Sequence, residues 1–290
     1  MHMPITNAAG MVKTRSAAAE FLQLPVPEVL LGSYTLEERE INQGTVFHNQ
    51  SGFGSVNSLG LPGGSLEKWK EDVSAVVEDA AEHDIEVWAS VAGFSPSEFE
   101  TLTAAAFEAG ADGVEVNMGC PNILIEGGGR KPIPSYNPDL MADGLGHASL
   151  ASEGKPLRVK VSAILDEGLL AEVAAAVNET HDVVSVATMN TIANCRAVDT
   201  EGNSIISSPD GLAGMGGPAL KWLALGQATQ WAKLLRDGIS IVGVGGVSNG
   251  NDVRDFLAID KVDRVQVATA VWNGGPRALL GICEEYANYL

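Results

Sequence analysis

The sequence predicts a (β/α)8 barrel, one domain over residues 1–290, with its active face at the C-terminal ends of the strands. Three observations carry that prediction. Short β-branched runs alternate eight times with Ala-, Leu- and Glu-rich amphipathic stretches, without a break in composition. Small residues, amides, one lysine and one thiol gather where those runs end. Finally, 33 glycines and 45% hydrophobic residues suit a buried parallel sheet joined by tight loops. A doubly wound open sheet is the competing architecture, but open sheets seldom carry eight regular units.

The first strand-like run is Pro4–Ala8, followed by a helical pattern near Thr14–Leu22. The second, Glu28–Leu31, leads into residues 34–62, which are polar, Gly-rich and too long for a simple connection before the helix Leu66–Glu82. Glu86–Val91 precedes Pro96–Ala109. Gly113–Asn117 precedes Pro138–Ala151 across another long segment, 123–136. Arg158–Val161 leads to Glu167–Asn178, and Val183–Ala187 leads through a third long segment, 192–216, to Ala219–Arg236. Ser240–Val244 with Asp252–Ile259, then Arg264–Ala268 with Pro276–Tyr289, complete the series. Each apolar run is of strand length, and each stretch between them has helical spacing. Long segments inside a compact domain are usually functional or disordered.

Charge and cysteine usage narrow the function. Eighteen basic against 37 acidic residues give a net charge of −19, which argues against nucleic acid or an anionic membrane as partner. The cysteines, Cys120, Cys195 and Cys283, are far apart and form no CxxC pair or Cys/His cluster. Neither a disulfide framework nor a metal site is expected. Met1-His2-Met3-Pro4-Ile5 lacks a basic region followed by an apolar run, and no apolar window approaches the ~18–20 residues of a spanning helix. A soluble protein of a reducing compartment is expected.

The chemistry concentrates in Gly113–Asn122, where a strand ends in Asn117 and Cys120 follows three residues later, with a second amide at Asn122. A thiol on such a loop serves as acid/base or nucleophile, and flanking amides can hold a planar polar substrate against it. The bland reading is a buried turn cysteine. Other strand ends add Asn7-Ala8-Ala9-Gly10, Gly32-Ser33 and Asn190-Thr191. After strands seven and eight, Gly243–Val247 and Ala268-Thr269-Ala270 fall where barrels most often bind phosphate, and Gly214–Gly217 adds backbone donors. Lys160 ends a buried-type strand. It either forms a Schiff base with a carbonyl, supplies charge beside a flavin, or snorkels to the rim.

These segments add up to a family. Asn7–Gly10, Ser33–Glu40, Asn57–Pro62, Asn117–Asn122, Val159–Val161, Asn190–Asn194, Asp210–Gly217 and Gly243–Val247 resemble, in order, the soluble class 1 dihydroorotate dehydrogenases. The resemblance runs from about Ile5 to Ala278 and extends more distantly to the flavin domain of dihydropyrimidine dehydrogenases. It implies an FMN-containing barrel, a cytosolic homodimer, that interconverts a C–C single and double bond beside a carbonyl in a pyrimidine-like ring. By position, Ala8, Ala9, Gly10, Ser33, Asn117, Lys160, Gly216, Gly217, Gly245, Gly246, Ala268 and Thr269 resemble cofactor contacts. Asn57, Leu59, Gly60, Asn117, Asn122, Asn190 and Thr191 resemble substrate contacts, and Cys120 the acid/base. The electron acceptor stays open, with fumarate, oxygen, a nicotinamide-linked partner and a quinone all compatible.

The chain also departs from the family pattern. Gly32-Ser33 stands where members usually carry Lys-Ser, and Pro62-Gly63 where they carry Pro-Asn. The loop 123–136 differs too, and brings Arg130 and Lys131. These departures lead us to expect a relative of orotate, or another conjugated carbonyl compound, as substrate. Arg130 either replaces the missing lysine or is a solvated loop charge. The reading from another class is a flavin-free sugar-phosphate lyase or isomerase that uses Lys160.

Overall fold

The eight apolar runs pair edge to edge into a parallel sheet that curls into a barrel. The computed structural model describes residues 2–124 and 129–290. In chain order the strands are β1 (Ile5–Asn7), β2 (Glu28–Tyr34), β3 (Phe47–Gln50), β4 (Gly54–Asn57), β5 (Glu86–Val91) and β6 (Gly113–Asn117). They continue with β7 (Leu157–Val161), β8 (Val183–Thr188), β9 (Ile192–Cys195), β10 (Ala213–Gly216), β11 (Ser240–Val244) and β12 (Val262–Val267). The barrel order is β1-β12-β11-β8-β7-β6-β5-β2. Helices α1 (Arg15–Ala18), α2 (Leu66–Ala80), α3 (Pro96–Glu108), α4 (Pro138–Ser152), α5 (Glu167–Glu179), α6 (Lys221–Leu234), α7 (Gly250–Leu257) and α8 (Thr269–Ala287) alternate with these strands. The (β/α)8 prediction holds.

At the seam between β1 and β2, side chains bridge the two strands. Asn7 Nδ2 donates to Leu30 O at 2.7 Å while Asn7 Oδ1 accepts from Leu30 N at 3.1 Å. Thr6 Oγ1 donates to Glu28 O at 2.8 Å. Asn7 is buried, so Asn7→Leu strands a backbone donor and a backbone acceptor away from water. We expect a loss of about 2–4 kcal/mol in a urea titration. A loss under about 0.5 kcal/mol would remove the amide's role in closing the barrel.

The barrel interior is polar, which the strand patterns alone did not announce. Alternate residues along a strand face inward, so Arg158 and Lys160 of β7, Glu115 and Asn117 of β6, and Gln266 of β12 share the lumen. At the level of Arg158, its guanidinium meets Glu28 in two bonds of 2.7 and 2.9 Å and lies 4.1 Å over the Trp88 ring. Arg264 bonds the same carboxylate. Towards the C-terminal end, Gln266 Nε2 donates to Glu115 Oε2 at 2.7 Å, and Lys160 Nζ lies 3.9 Å from Glu115 Oε1.

Two segments expected to be long loops prove to be structured. Residues 34–62 and 192–216 meet in a second, four-stranded antiparallel sheet of order β3-β4-β10-β9, with Met215 opposite Val56. Phe47 stacks on Trp272 at 4.6 Å, and Ser55 Oγ lies 3.1 Å from Thr269 Oγ1. Those contacts tie the small sheet to the start of α8, at the C-terminal ends of the barrel strands.

Helix ends depart from expectation where backbone chemistry intervenes. The pattern Thr14–Leu22 yields only four helical residues, Arg15–Ala18, and then a 3₁₀ turn, Phe21–Gln23, that buries Phe21 and Leu22. Pro25 and Pro27 follow directly, and prolines lack the N–H that continues a helix. The last helix begins earlier than expected, at Thr269, and kinks at Gly275 ahead of Pro276.

Candidate active site

The loop after β6 carries the thiol into a cavity of about 280 Å³ at the C-terminal ends of the strands. Asn117, the last residue of β6, organises it. Its Oδ1 accepts from Gly119 N at 3.2 Å and from Asn190 Nδ2 at 3.1 Å, and its Nδ2 donates to Ser33 Oγ at 2.8 Å. Ser33 Oγ in turn sits 2.7 Å from Ser90 Oγ. A chain of polar side chains thus links β2, β5 and β6 to the loop after β8.

Two further amides come from opposite directions. Asn122 Nδ2 donates to Asn57 Oδ1 at 3.0 Å, and Asn57 Nδ2 donates to Gly214 O at 3.3 Å. Asn122 Oδ1 is buried and has no partner among the described residues. A buried acceptor left open costs free energy unless a ligand completes it. Leu59 and Gly60 line the same cavity, as do Ala8, Ala9, Gly10 and Thr191.

Cys120 is half-buried and lines the cavity. Burial pushes its thiol up from the ordinary value, while the Asn122 N–H and the ammonium groups of Lys13, Lys131 and Lys160 pull the other way. Lys160 is 4% exposed, and burial lowers its pKa against the opposing pull of Glu115. Its Nζ is 3.5 Å from Gln266 Oε1.

A smaller adjoining cavity of about 50 Å³ is lined by Gly216, Gly217, Gly245 and Gly246, with Ala268 and Thr269 shared between the two. A Cβ on Gly217 would stand 2.7 Å from Gly54 Cα, and one on Gly246 would stand 2.6 Å from Lys221 N. Both residues have positive φ, so side chains are excluded twice over. The N–H groups of Gly217, Gly245 and Gly246 have no acceptor among the described residues. Backbone donors arranged so, beside the start of α8, make a seat for an anion.

The residues expected from the sequence to meet cofactor or substrate, and Cys120, all line one of these two joined cavities. Arg130 does not. It donates to Asp210 at 2.6 Å and to Leu212 O at 2.8 Å, clamping the segment after Cys120 to the one before β10. It neither replaces a cavity lysine nor stands free in solvent. Lys131 donates to Gly93 O and lies 4.7 Å over the Phe94 ring. Residues 125–128 of the expected 123–136 insertion lie outside the described residues. Lys13, Ser55, Ser90, Met189 and Trp272 were not read from the sequence as site residues, and all but Ser90 line the cavity. No helix among the described residues is long and apolar enough to cross a membrane.

Known proteins resemble this chain in sequence and fold. The dihydroorotate dehydrogenase family profile matches residues 1–290. A dihydroorotate dehydrogenase B (NAD(+)) catalytic subunit of Methanopyrus kandleri is 32% identical over 269 residues, 92% of this chain and 81% of that protein. A Streptococcus pyogenes serotype M1 protein described as dihydroorotate dehydrogenase A (fumarate) is 28% identical over 97% of this chain and 87% of its own. In fold, the chain superimposes on the Eimeria tenella dihydroorotate dehydrogenase solved with ferulenol, at a TM-score of 0.82 and 17% identity, covering 99% of this chain and 81% of that one. Fold, site and relatives define a barrel oxidoreductase acting on CH–CH groups. The chain belongs to the dihydroorotate dehydrogenase family.

Proposed function

We propose that this protein is an FMN-dependent oxidoreductase that interconverts a C–C single and double bond beside a carbonyl in a dihydroorotate- or dihydropyrimidine-like ring. The single observation that carries the reading is one thiol, Cys120, sharing a cavity with four amides, Asn57, Asn117, Asn122 and Asn190. Members of the family are flavoproteins, and the residues present fit FMN. Ala8, Ala9, Gly10, Ser33, Asn117 and Lys160 would hold its ring. The free N–H groups of Gly217, Gly245 and Gly246, with Gly216, Ala268 and Thr269, would hold its phosphate.

Bound FMN supplies the hydride acceptor or donor of the reaction. The chain's own groups do the rest. Removing hydride from one ring carbon requires a proton to leave the adjacent carbon, and Cys120 as thiolate takes it; as thiol it returns it in the other direction. The open acceptor on Asn122 takes a ring N–H, and the Asn117–Asn190 pair fixes the ring in its plane. Leu59, Gly60 and Thr191 close the substrate's edges. Lys160 would bring positive charge beside the ring, with Glu115 placed to balance it. Family membership displaces the flavin-free lyase reading of Lys160.

The purified protein should be yellow, should release FMN on denaturation, and should bleach anaerobically with at least one member of a panel of dihydropyrimidines that includes dihydroorotate. A colourless protein, or a flavin that no cyclic amide reduces, contradicts this function. The relatives' names differ in acceptor, NAD(+) for one and fumarate for the other, so reoxidation by each is the natural second assay.

A further inference from the structure

Gly32 has φ +100°, and a Cβ there would run into the Ser90 carbonyl oxygen and stand 3.0 Å from Tyr34 N. The backbone therefore admits no side chain at this position, so any cation that faces the ligand comes from elsewhere. Lys13, on the connection between β1 and α1, lines the cavity. Its Nζ donates to Ser33 O at 3.1 Å and to Pro62 O. Both acceptors are neutral carbonyls, and no carboxylate among the described residues pairs with it. An ammonium has three donors, so one remains without a protein acceptor among the described residues.

The other cations around the cavity are committed. Lys160 has Glu115, Arg130 has Asp210, and Lys131 sits on Gly93 O and the Phe94 ring. Lys13 alone among these lines the cavity with only carbonyl partners. A part-buried cation without an anion is costly in proportion to its burial, and that cost is returned when an anionic ligand arrives.

We propose that Lys13 is the ligand-positioning cation of this site and selects rings that carry a carboxylate over the same ring without one. The inference rests on the functional reading above and deepens it by naming the residue that meets the ring's anionic group. Burial lowers the Lys13 pKa to about 8, with Cys120 the one group opposing, so the side chain is still largely ammonium at neutral pH.

Orotate and uracil, one ring with and without a carboxylate, are the probes. Calorimetric titration of the oxidised holoprotein should show orotate bound more tightly than uracil. In Lys13→Met, orotate affinity should fall about ten- to a hundredfold, with uracil changed less than about twofold. Lys13→Gln keeps a donor for Ser33 O and Pro62 O without the charge, and should behave like Lys13→Met. Lys13→Arg should recover part of the orotate affinity. Equal losses for both rings, unchanged orotate affinity, or a wild type indifferent to the carboxylate would overturn the proposal. A protein without flavin, or one whose flavin no dihydropyrimidine reduces, defeats the functional reading instead. A reducible flavoprotein that ignores the carboxylate defeats only the role of Lys13.

Discussion

Cys120→Ala is expected to slow flavin reduction by ~10²–10⁴-fold while leaving FMN bound. The titratable side chains lining the cavity among the described residues are Lys13, Cys120 and Lys160. Lys13 is engaged with Ser33 O and Pro62 O, and Lys160 is held beside Glu115 inside the barrel. Cys120 is therefore the group proposed above as the base. On the proposed reading its loss removes proton transfer but touches none of the glycines Gly216, Gly217, Gly245 and Gly246. The pH dependence has a definite sign. Burial raises the thiol, so at neutral pH the thiolate is the minor form. In the direction that takes a proton from the ring, the rate should climb as pH rises. In the direction that returns it, the thiol is already present and the rate should stay flat below the raised pKa. Stopped-flow bleaching across pH reads both effects, and an unchanged rate in Cys120→Ala would reassign the residue to structure.

Glu28→Ala is expected to cost the most stability, about 3–5 kcal/mol, because it leaves two guanidiniums facing an empty site. Glu28 is fully buried, and its carboxylate takes both forks of Arg158 along with Arg264. Burial alone would raise its pKa; Arg158 and Arg264 more than offset that and hold it below the ordinary range. A depressed carboxylate contributes stability above its unfolded pKa of ~4.3, and the contribution is lost as pH falls through the lower folded value. Urea midpoints should therefore converge between wild type and Glu28→Ala in acid and separate at neutral pH. The double variant Glu28→Leu/Arg158→Met should recover much of the loss, since an apolar pair removes the uncompensated charge. Equal midpoints at neutral pH would show that the pair contributes nothing.

The barrel was legible because its signal is local. Valine-rich runs such as Val183–Ala187 and amphipathic stretches such as Glu167–Asn178 declare themselves within a dozen residues. The cavity was legible because Asn117 ends a strand and Cys120, Asn190 and Thr269 fall within three residues of a strand's end. What escaped is long-range. Strand β4 pairs with β10 across more than 150 residues, and neither Gly54–Asn57 nor Ala213–Gly216 has the length or alternation that marks a strand. Lys13 carries no motif. It becomes a cavity residue only because Pro62, 49 positions away, offers it a carbonyl. Arg130 looked like a free loop charge because its partner, Asp210, lies 80 residues further on. The charged lumen was visible in part, since Arg158 and Lys160 share one face of a strand, but the partners Glu28 and Glu115 arrive only through closure of the barrel.

The most direct test is alkylation of the oxidised holoprotein with iodoacetamide at mildly alkaline pH, with the modified cysteines mapped by mass spectrometry. If the sulfur stands against the ring ligand, Cys120 is carbamidomethylated, and any ring compound that perturbs the flavin spectrum blocks that modification while Cys195 reacts as before. A Cys120 that stays unmodified, or that reacts at the same rate with the ligand in place, would contradict the account.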